Sequence, residues 1–253
     1  MSGDRGAANR DRGEPSPPHL IVFSRAPVPG STKTRLIPAL GVENASRLHA
    51  ACLTRVIGVA QEWRELRIAR RRPPPTLHLF ITPPGSQPAF RSAGVDWSAH
   101  WNLHNQRGNT LGERMAEAVH RIRGRAQTSV LLVGSDLPLL APEHLDAALS
   151  ALETSDAVFG PTLDGGYYLV GLRGEPRGLF DLSDWGTGSV LKRTLEAART
   201  SGMATALVEA LPDVDVPEDL ARVLAHPRAA ERRDPDPGGA LRLIQDLAAA
   251  LPG

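Results

Sequence analysis

His19-Leu20-Ile21-Val22-Phe23-Ser24-Arg25-Ala26-Pro27-Val28-Pro29-Gly30-Ser31-Thr32-Lys33-Thr34-Arg35-Leu36 opens as an apolar run and passes straight into a loop of proline, glycine, hydroxyls and cations. A short apolar run bounded by turn residues reads as a buried strand feeding a functional turn. The loop combines the backbone freedom of Gly30, the hydroxyls of Ser31 and Thr32, the compact charge of Lys33 and the planar forks of Arg25 and Arg35. These are groups that hold phosphate oxygens through charge-assisted hydrogen bonds. The competing reading is an exposed turn whose cations keep it solvated. The loop is not a Walker A motif, because Thr32 rather than glycine precedes Lys33 and the earlier glycine is absent, and it lacks the dinucleotide glycine fingerprint.

Working outward, apolar residues recur at helical spacing from Val42 to about Trp63, and LHLFIT then reads as a second strand. The arginine- and proline-rich stretch RELRIARRRPPP between them reads as a solvated surface link. Helical patterns over LGERMAEAVHRI, PEHLDAALSAL and Ser189 to about Ala198 alternate with strand patterns over SVLLVG, DAVFG, GYYLVGL and ATALVE. A further helix opens at Val216-Pro217-Glu218. Strands alternating with helices of this length imply right-handed crossovers and a largely parallel, covered sheet. The expected fold is a three-layer α/β/α, Rossmann-like arrangement with a mostly parallel mixed sheet over residues 19–226. Residues 1–18, polar and rich in Gly, Pro and Arg, read as a disordered tail. Residues 227–253 read as a linker followed by a C-terminal helix whose docking site the sequence does not reveal.

Composition narrows the partners. The 29 lysines and arginines balance 28 aspartates and glutamates, so nothing in the overall charge argues for nucleic acid or a membrane surface. No apolar run approaches the ~18 residues that span a bilayer, and the chain starts polar, so a soluble, cytoplasmic protein is expected. The single Cys52 lies in an apolar stretch and reads as a buried thiol. The histidines show no HExxH pattern and no GxSxG elbow occurs, which removes a zinc hydrolase and a serine hydrolase from consideration.

In open α/β sheets ligands bind beyond the carboxyl ends of the strands, so the loops after strands carry the chemistry. Asp136, in Gly134-Ser135-Asp136-Leu137-Pro138 after SVLLV, is placed either to hold Mg²⁺ (or Mn²⁺) or to cap its turn. Asp213 and Asp215 alternate in an extended segment and so are expected to face one cation together. Asp215 is also a candidate helix cap with Glu218. Asp164, Gly165, Gly166 and Tyr167 form a turn before a strand, either admitting a substrate close to backbone or serving as a plain hairpin. Gln106 and Gly112 lie in a polar loop entering a helix, where amide and backbone groups suit a base edge or surface capping equally.

In order, RAPVPGSTKTRL, LGERM, GSDLP, GPTLDGGYYLVGL, WGTGSVL and DVDVPEDL resemble a bacterial glycosyltransferase-A-type family. That family lies within the nucleotide-diphospho-sugar transferase superfamily and is related to 2-phospho-L-lactate guanylyltransferase. The resemblance spans roughly residues 19–225. It implies a nucleotide-binding half, an acceptor-binding half and one divalent cation between them. Asp136 and Asp215, with Asp213 beside them, would be metal ligands. Lys33 and Arg35 would cradle phosphates, together with Arg25, Gly30 and Thr32. Asp164 to Tyr167 would line the acceptor side, and Trp185-Gly186-Thr187 would close the pocket. Two departures stand out: Arg25 where lysine is frequent, and Val216 where threonine usually precedes the proline.

Two transferase reactions suit such a site. In nucleotidyl transfer a phosphorylated or anionic acceptor attacks a nucleoside triphosphate, with Lys33 and Asp136 at the reacting phosphate. In glycosyl transfer a nucleotide-diphospho-sugar is the donor and Asp164 is a candidate base. The cation-rich loop favours a triphosphate, with about four negative charges against about two for a nucleotide sugar. A nucleotide sensor that has lost catalysis would lack a site carboxylate, and Asp136, Asp164 and Asp215 are all present.

Overall fold

A computed structural model describes residues 16–123, 128–183, 185–231 and 237–251. Its strands are β1 (His19–Arg25), β2 (Thr76–Thr82), β3 (Trp101–Asn105), β4 (Val130–Val133), β5 (Ala157–Pro161), β6 (Tyr167–Leu172) and β7 (Thr205–Leu207). The helices are α1 (Ile37–Ala69), α2 (Gln87–Ser92), α3 (Leu111–Arg123), α4 (Pro142–Ala151), α5 (Val190–Thr200), α6 (Pro217–Ala225), α7 (Pro227–Glu231) and α8 (Ala240–Ala249).

One seven-stranded sheet runs in the order β3-β2-β1-β4-β6-β5-β7. All its pairings are parallel except those of β6, which is antiparallel to both β4 and β5. Alternation along the strands sorts the apolar side chains to two faces. Leu20, Val22, Leu77, Leu79 and Val133 join α1, α4, α6 and α8 in one core. Ile21, Phe23, Phe80, Leu132 and Phe159 join residues of α3 and α5 in the other. The three-layer, mostly parallel arrangement expected from the sequence is therefore the observed one. The chain winds from β1 through β2 to β3 on one side and places β4 on the other side of β1. The winding reverses between β1 and β4, and that is where a crevice opens beyond the strand ends.

Three local expectations need correction. The arginine-rich stretch is not a surface link up to its prolines: α1 continues through it to Ala69. No helix breaker intervenes before Pro73, and Arg67 is buried, its guanidinium over the Trp63 ring and ion-paired with Asp146. Strand β3 and helix α2 carry too few apolar residues to announce themselves. Finally, part of the expected linker is structured: Pro227–Glu231 is helical, and Gly238 packs so tightly on α1 that a Cβ would lie 2.8 Å from the Ala51 carbonyl. α8 then docks its Leu241, Ile244 and Leu247 face on α1 and α6 within the larger core. The tail expectation falls largely outside the described residues, although the Pro18 carbonyl already accepts from the Thr76 amide. Cys52 is fully buried, and no described helix is long and apolar enough to cross a membrane.

On the α3 side of the sheet, His19, His78 and His104 form a row across β1, β2 and β3, each neighbouring pair of ring nitrogens 3.1 Å apart. Burial, helped by its two histidine neighbours, lowers His78 to about 3. The folded state thus keeps this ring neutral while the unfolded chain protonates it below about pH 6.5. Stability contributed here is complete above that pH and declines on acidification, by up to about 1.4 kcal/mol per pH unit. Urea unfolding followed from about pH 7 to pH 4 should therefore show a shallower acid loss for His78→Gln than for the native chain; equal slopes would refute the assignment.

Candidate functional site

The loop after β1 folds down over the reversal point. Gly30 takes a left-handed φ of 79° in a turn closed by the Ser31 amide on the Val28 carbonyl. Lys33 itself has φ 50°, a conformation uncommon outside glycine that must be held by its surroundings. Its side chain supplies the hold. Buried at 9% exposure, the ammonium lies 2.8 Å from Asp136 Oδ2, donates to the Val214 carbonyl and sits 3.9 Å from Asp215 Oδ1. Burial alone would lower the Lys33 ammonium, but the charge and hydrogen bond of Asp136, with Asp215 adding, hold it above its ordinary value. Arg35 is largely exposed and pairs with Asp215 Oδ2 at 2.8 Å. Arg25 reaches the Ser31 carbonyl at 3.4 Å.

Asp136 follows β4 directly. Burial opposes its ionisation, yet Lys33 and His49 outweigh that and hold the carboxyl well below the usual carboxylate range. His49, buried on α1, is a residue the sequence did not single out. Its Nε2 donates to the Arg25 carbonyl at 2.8 Å and its Nδ1 faces Asp136 Oδ1 at 3.1 Å. The ring thus braces the Asp136 carboxylate against the end of β1. The only signal for it was a polar residue beside Leu48 within the helix's apolar stretch.

The two aspartates of Asp213-Val214-Asp215 part company. Val214 is buried, and its amide donates to the Asp136 carbonyl, which anchors the segment beside the β4 loop. Asp215 turns to Lys33 and Arg35, whereas Asp213 turns into a cavity with Asp136 and Asp164. The expectation that both face one cation fails, because this segment is anchored by its backbone and is not a regular strand. Burial and the charges of Asp164 and Asp136 push the Asp213 carboxyl up to about 7. Nor does Asp215 cap α6. Asp219 Oδ2 accepts from both the Asp215 and Val216 amides at 2.8 Å, so Asp219, one residue after Glu218, performs the capping.

Two cavities meet at Asp136. One, of about 540 Å³, is lined by Arg25, Thr32, Lys33, Arg35, Arg114, Gln106, Asp136 and Asp215 among others. The other, of about 270 Å³, is lined by Phe23, Met115, Leu132, Tyr167 and Trp185, with Gly166, Gly186, Thr187 and the carboxylates of Asp136, Asp164 and Asp213. Asp164 Oδ1 accepts from the Thr162 hydroxyl and from the Gly166 amide, so the turn is self-braced and lines the cavity as well. Burial pushes the Tyr167 hydroxyl upward.

Three residues assigned to substrate do other work. Gln106 is buried and its amide donates to the Ser24 and Phe80 carbonyls, fastening β1 to β2, so this NH₂ group is not free for a base. Gly112 is buried where a Cβ would lie 2.0 Å from the Phe180 carbonyl, so its role is close packing of α3. Gly165, at φ 89°, faces the Gly188 carbonyl at 2.1 Å from such a Cβ, which docks the turn on the start of α5. Among the described residues no three His, Cys, Asp or Glu side chains converge as a metal cage.

A parallel sheet reversed between β1 and β4, with a cationic loop on one side and carboxylates on the other, has the architecture of the nucleotide-diphospho-sugar transferase class. A solved structure from Desulfovibrio desulfuricans G20, provisionally assigned as a nucleotide-diphospho-sugar transferase, matches with a TM-score of 0.73 and 28% identity over 91% of this chain and 96% of that one. Residues 66–187 match the family model described as "Uncharacterized protein conserved in bacteria (DUF2064)". A phosphoenolpyruvate guanylyltransferase of Geodermatophilus obscurus is 38% identical over 42% of this chain and 47% of its own. A 2-phospho-L-lactate guanylyltransferase of Methanopyrus kandleri is 39% identical over 35% of this chain and 46% of its own. The matches thus span about half the length of these curated relatives, and the relationship read from the six motifs holds.

The raised Asp213 carboxyl implies a cost to folding. Between its unfolded value of 3.8 and its folded value of about 7 the native state takes up a proton, so stability falls as pH rises through that window. Asp213→Asn should raise the unfolding free energy obtained from urea titration at about pH 8, by roughly 1 kcal/mol or more, and leave it unchanged near pH 3 to 4. A gain of the same size at both pH values would show that Asp213 ionises normally.

Proposed function

We propose that this chain is a nucleotidyltransferase that uses a nucleoside triphosphate and a small phosphorylated acceptor and releases pyrophosphate. The observation that carries this reading is the meeting of the two cavities at Asp136, with all the nearby cations on one side of it. The triphosphate occupies the larger, basic cavity, where Arg25, Lys33 and Arg35 offset its charge. The acceptor enters the smaller one. An acceptor phosphate oxygen forms a bond to the α-phosphorus, the bond from that phosphorus to the bridging oxygen breaks, and the electron pair leaves with pyrophosphate. Lys33, fixed by Asp136 and Val214, presents its charge to the phosphates without rearrangement, which is the preorganisation that lowers such barriers. GTP is the triphosphate to test first, because both curated relatives are guanylyltransferases.

Mg²⁺ (or Mn²⁺) belongs to this proposal. Magnesium is commonly held by only one or two carboxylates, with substrate phosphates and water completing its shell. Asp136 and Asp213, oxygen donors lining one cavity with Asp164 close by, fit that requirement; Asp215, already engaged by Arg35, fits it less well. When bound, the ion would supply charge stabilisation at the reacting phosphate.

A glycosyltransferase remains the second reading, favoured by the 28% identical structure assigned to that superfamily. Incubation of the chain and Mg²⁺ with each triphosphate or nucleotide sugar and pooled acceptors separates the two. Pyrophosphate is the expected product; release of nucleoside diphosphate from a nucleotide sugar, with no pyrophosphate from any triphosphate, would reverse the conclusion.

Two variants sharpen the roles. Asp136→Asn should lower kcat by about a hundredfold or more. Arg35→Ala, at an exposed position, should leave the fold intact and raise the KM for triphosphate by about tenfold, the effect of one lost charge-assisted contact. Unchanged kinetics in either variant would remove that residue from the site.

A further inference from the structure

Among the described residues, Phe23, Leu111, Gly134, Asp136 and Gly186 line both cavities. None of these side chains can donate to a phosphate oxygen, because Asp136 is held ionised and the others are apolar or glycine. Lys33, which offsets the charge of Asp136, directs its ammonium to Asp136 Oδ2 and to the Val214 carbonyl. The shared wall thus has charge on it but no side-chain donor of its own. Ser135 stands in sequence between Gly134 and Asp136 and lines the basic cavity with them. The residue is only 4% exposed, yet its hydroxyl bonds to no described residue and is not sealed from solvent. A nearly buried hydroxyl that the fold leaves unbonded and open is met from the cavity its residue lines. Its neighbours differ: the Gly134 amide donates to the Tyr168 carbonyl, and Ser24, in the same cavity, donates to the Arg25 carbonyl.

Resting on the nucleotidyltransferase reading above, we infer that the Ser135 hydroxyl binds the reacting α-phosphate of the triphosphate, donating to one of its non-bridging oxygens where the cavities join. The α-phosphate is the group that must reach this junction, because the acceptor attacks it from the smaller cavity. There it lies beside the ionised Asp136, and a phosphate oxygen next to a carboxylate is held in register only by a donor aimed at it. Lys33 supplies charge and Ser135 supplies direction. Being uncharged, the hydroxyl does this without disturbing the Lys33–Asp136 pair on which the surrounding loops depend. Exchanging solvent for a phosphate oxygen turns an ordinary hydrogen bond of this hydroxyl into a charge-assisted one. No internal bond has to break first, which separates Ser135 from Gln106, whose NH₂ group is committed to two carbonyls.

The test is a binding measurement that needs no turnover. The full native chain and Ser135→Ala are titrated calorimetrically with each of the four nucleoside triphosphates and with inorganic pyrophosphate, once in Mg²⁺ and once in EDTA, and their thermal unfolding is compared. The variant should bind the preferred triphosphate about tenfold more weakly in both media, the loss of one charge-assisted contact, and bind pyrophosphate within about twofold of the native chain. Its unfolding temperature should not fall, because the free protein loses no internal hydrogen bond. Four results overturn the inference: unchanged triphosphate affinity, a lower unfolding temperature, a loss confined to Mg²⁺, which would give the hydroxyl to the ion, and an equal loss with pyrophosphate, which would give it to the leaving group. The underlying reaction fails separately. The expected binding losses with no pyrophosphate released from any triphosphate and acceptor pool sink the nucleotidyltransferase reading alone. Pyrophosphate release together with native affinity in Ser135→Ala sinks this inference alone, and a native chain that binds no triphosphate overturns both.

Discussion

A buried ammonium must be met by acceptors, and Lys33 draws its acceptors from parts of the chain far apart in sequence. Asp136 comes from the end of β4, while the Val214 carbonyl and Asp215 come from the segment before α6. One side chain therefore fixes the loop after β1, the loop after β4 and the last connection of the sheet against one another. The left-handed backbone of Lys33 is tolerated because these contacts over-determine it. Breaking a buried pair by removing one member typically costs about 3–5 kcal/mol, because the survivor is left uncompensated. The arrangement is a structural lock whose charge still faces the basic cavity.

The sheet explains why these segments meet. Reversal of the winding between β1 and β4 leaves their carboxyl ends adjacent, so that the loops leaving the two strands meet there. His49 fills the space beneath, linking the β1 carbonyl end to Asp136, and Gln106 ties β1 to β2 at the same level. Asp219 does the corresponding work for the last segment by holding the amides of Asp215 and Val216, which leaves the Asp215 carboxylate for Arg35. Asp136 and the Asp215 segment thus each rest on a buried polar side chain, His49 and Asp219 respectively.

What was legible in the sequence follows from what each signal encodes. Strand-loop order and hydrophobic period encode layers and strand ends, so the β1 loop, Asp136 and the turn at Asp164 could be placed before any coordinates. The partition of Asp213 from Asp215 could not, because a two-residue period predicts a common direction only in a regular strand, and a backbone bond from Val214 decides the geometry instead. Glycine misleads in a similar way. At Gly30 it serves a turn, but at Gly112 and Gly165 it serves close packing against the Phe180 and Gly188 carbonyls, and composition does not distinguish the two uses. His49 was invisible because its partners lie 24 and 87 positions away. The extension of α1 was missed because arginine was read as a surface residue, although its stem packs and its head can pair when a Trp63 and an Asp146 are supplied by the fold.

The carboxylates of the site are pushed in opposite directions by neighbours that the same topology supplies. Asp136 shares Lys33 and His49 and is held ionised; Asp213, on the far side of it, shares Asp164 and Asp136 and resists ionisation. The positive charge is concentrated on one side of Asp136 and the negative charge on the other, so the field changes sign across that residue. Under the proposed reaction, a phosphate chain entering from the basic side meets Lys33 and the arginines, and the ionised Asp136 marks where that attraction ends.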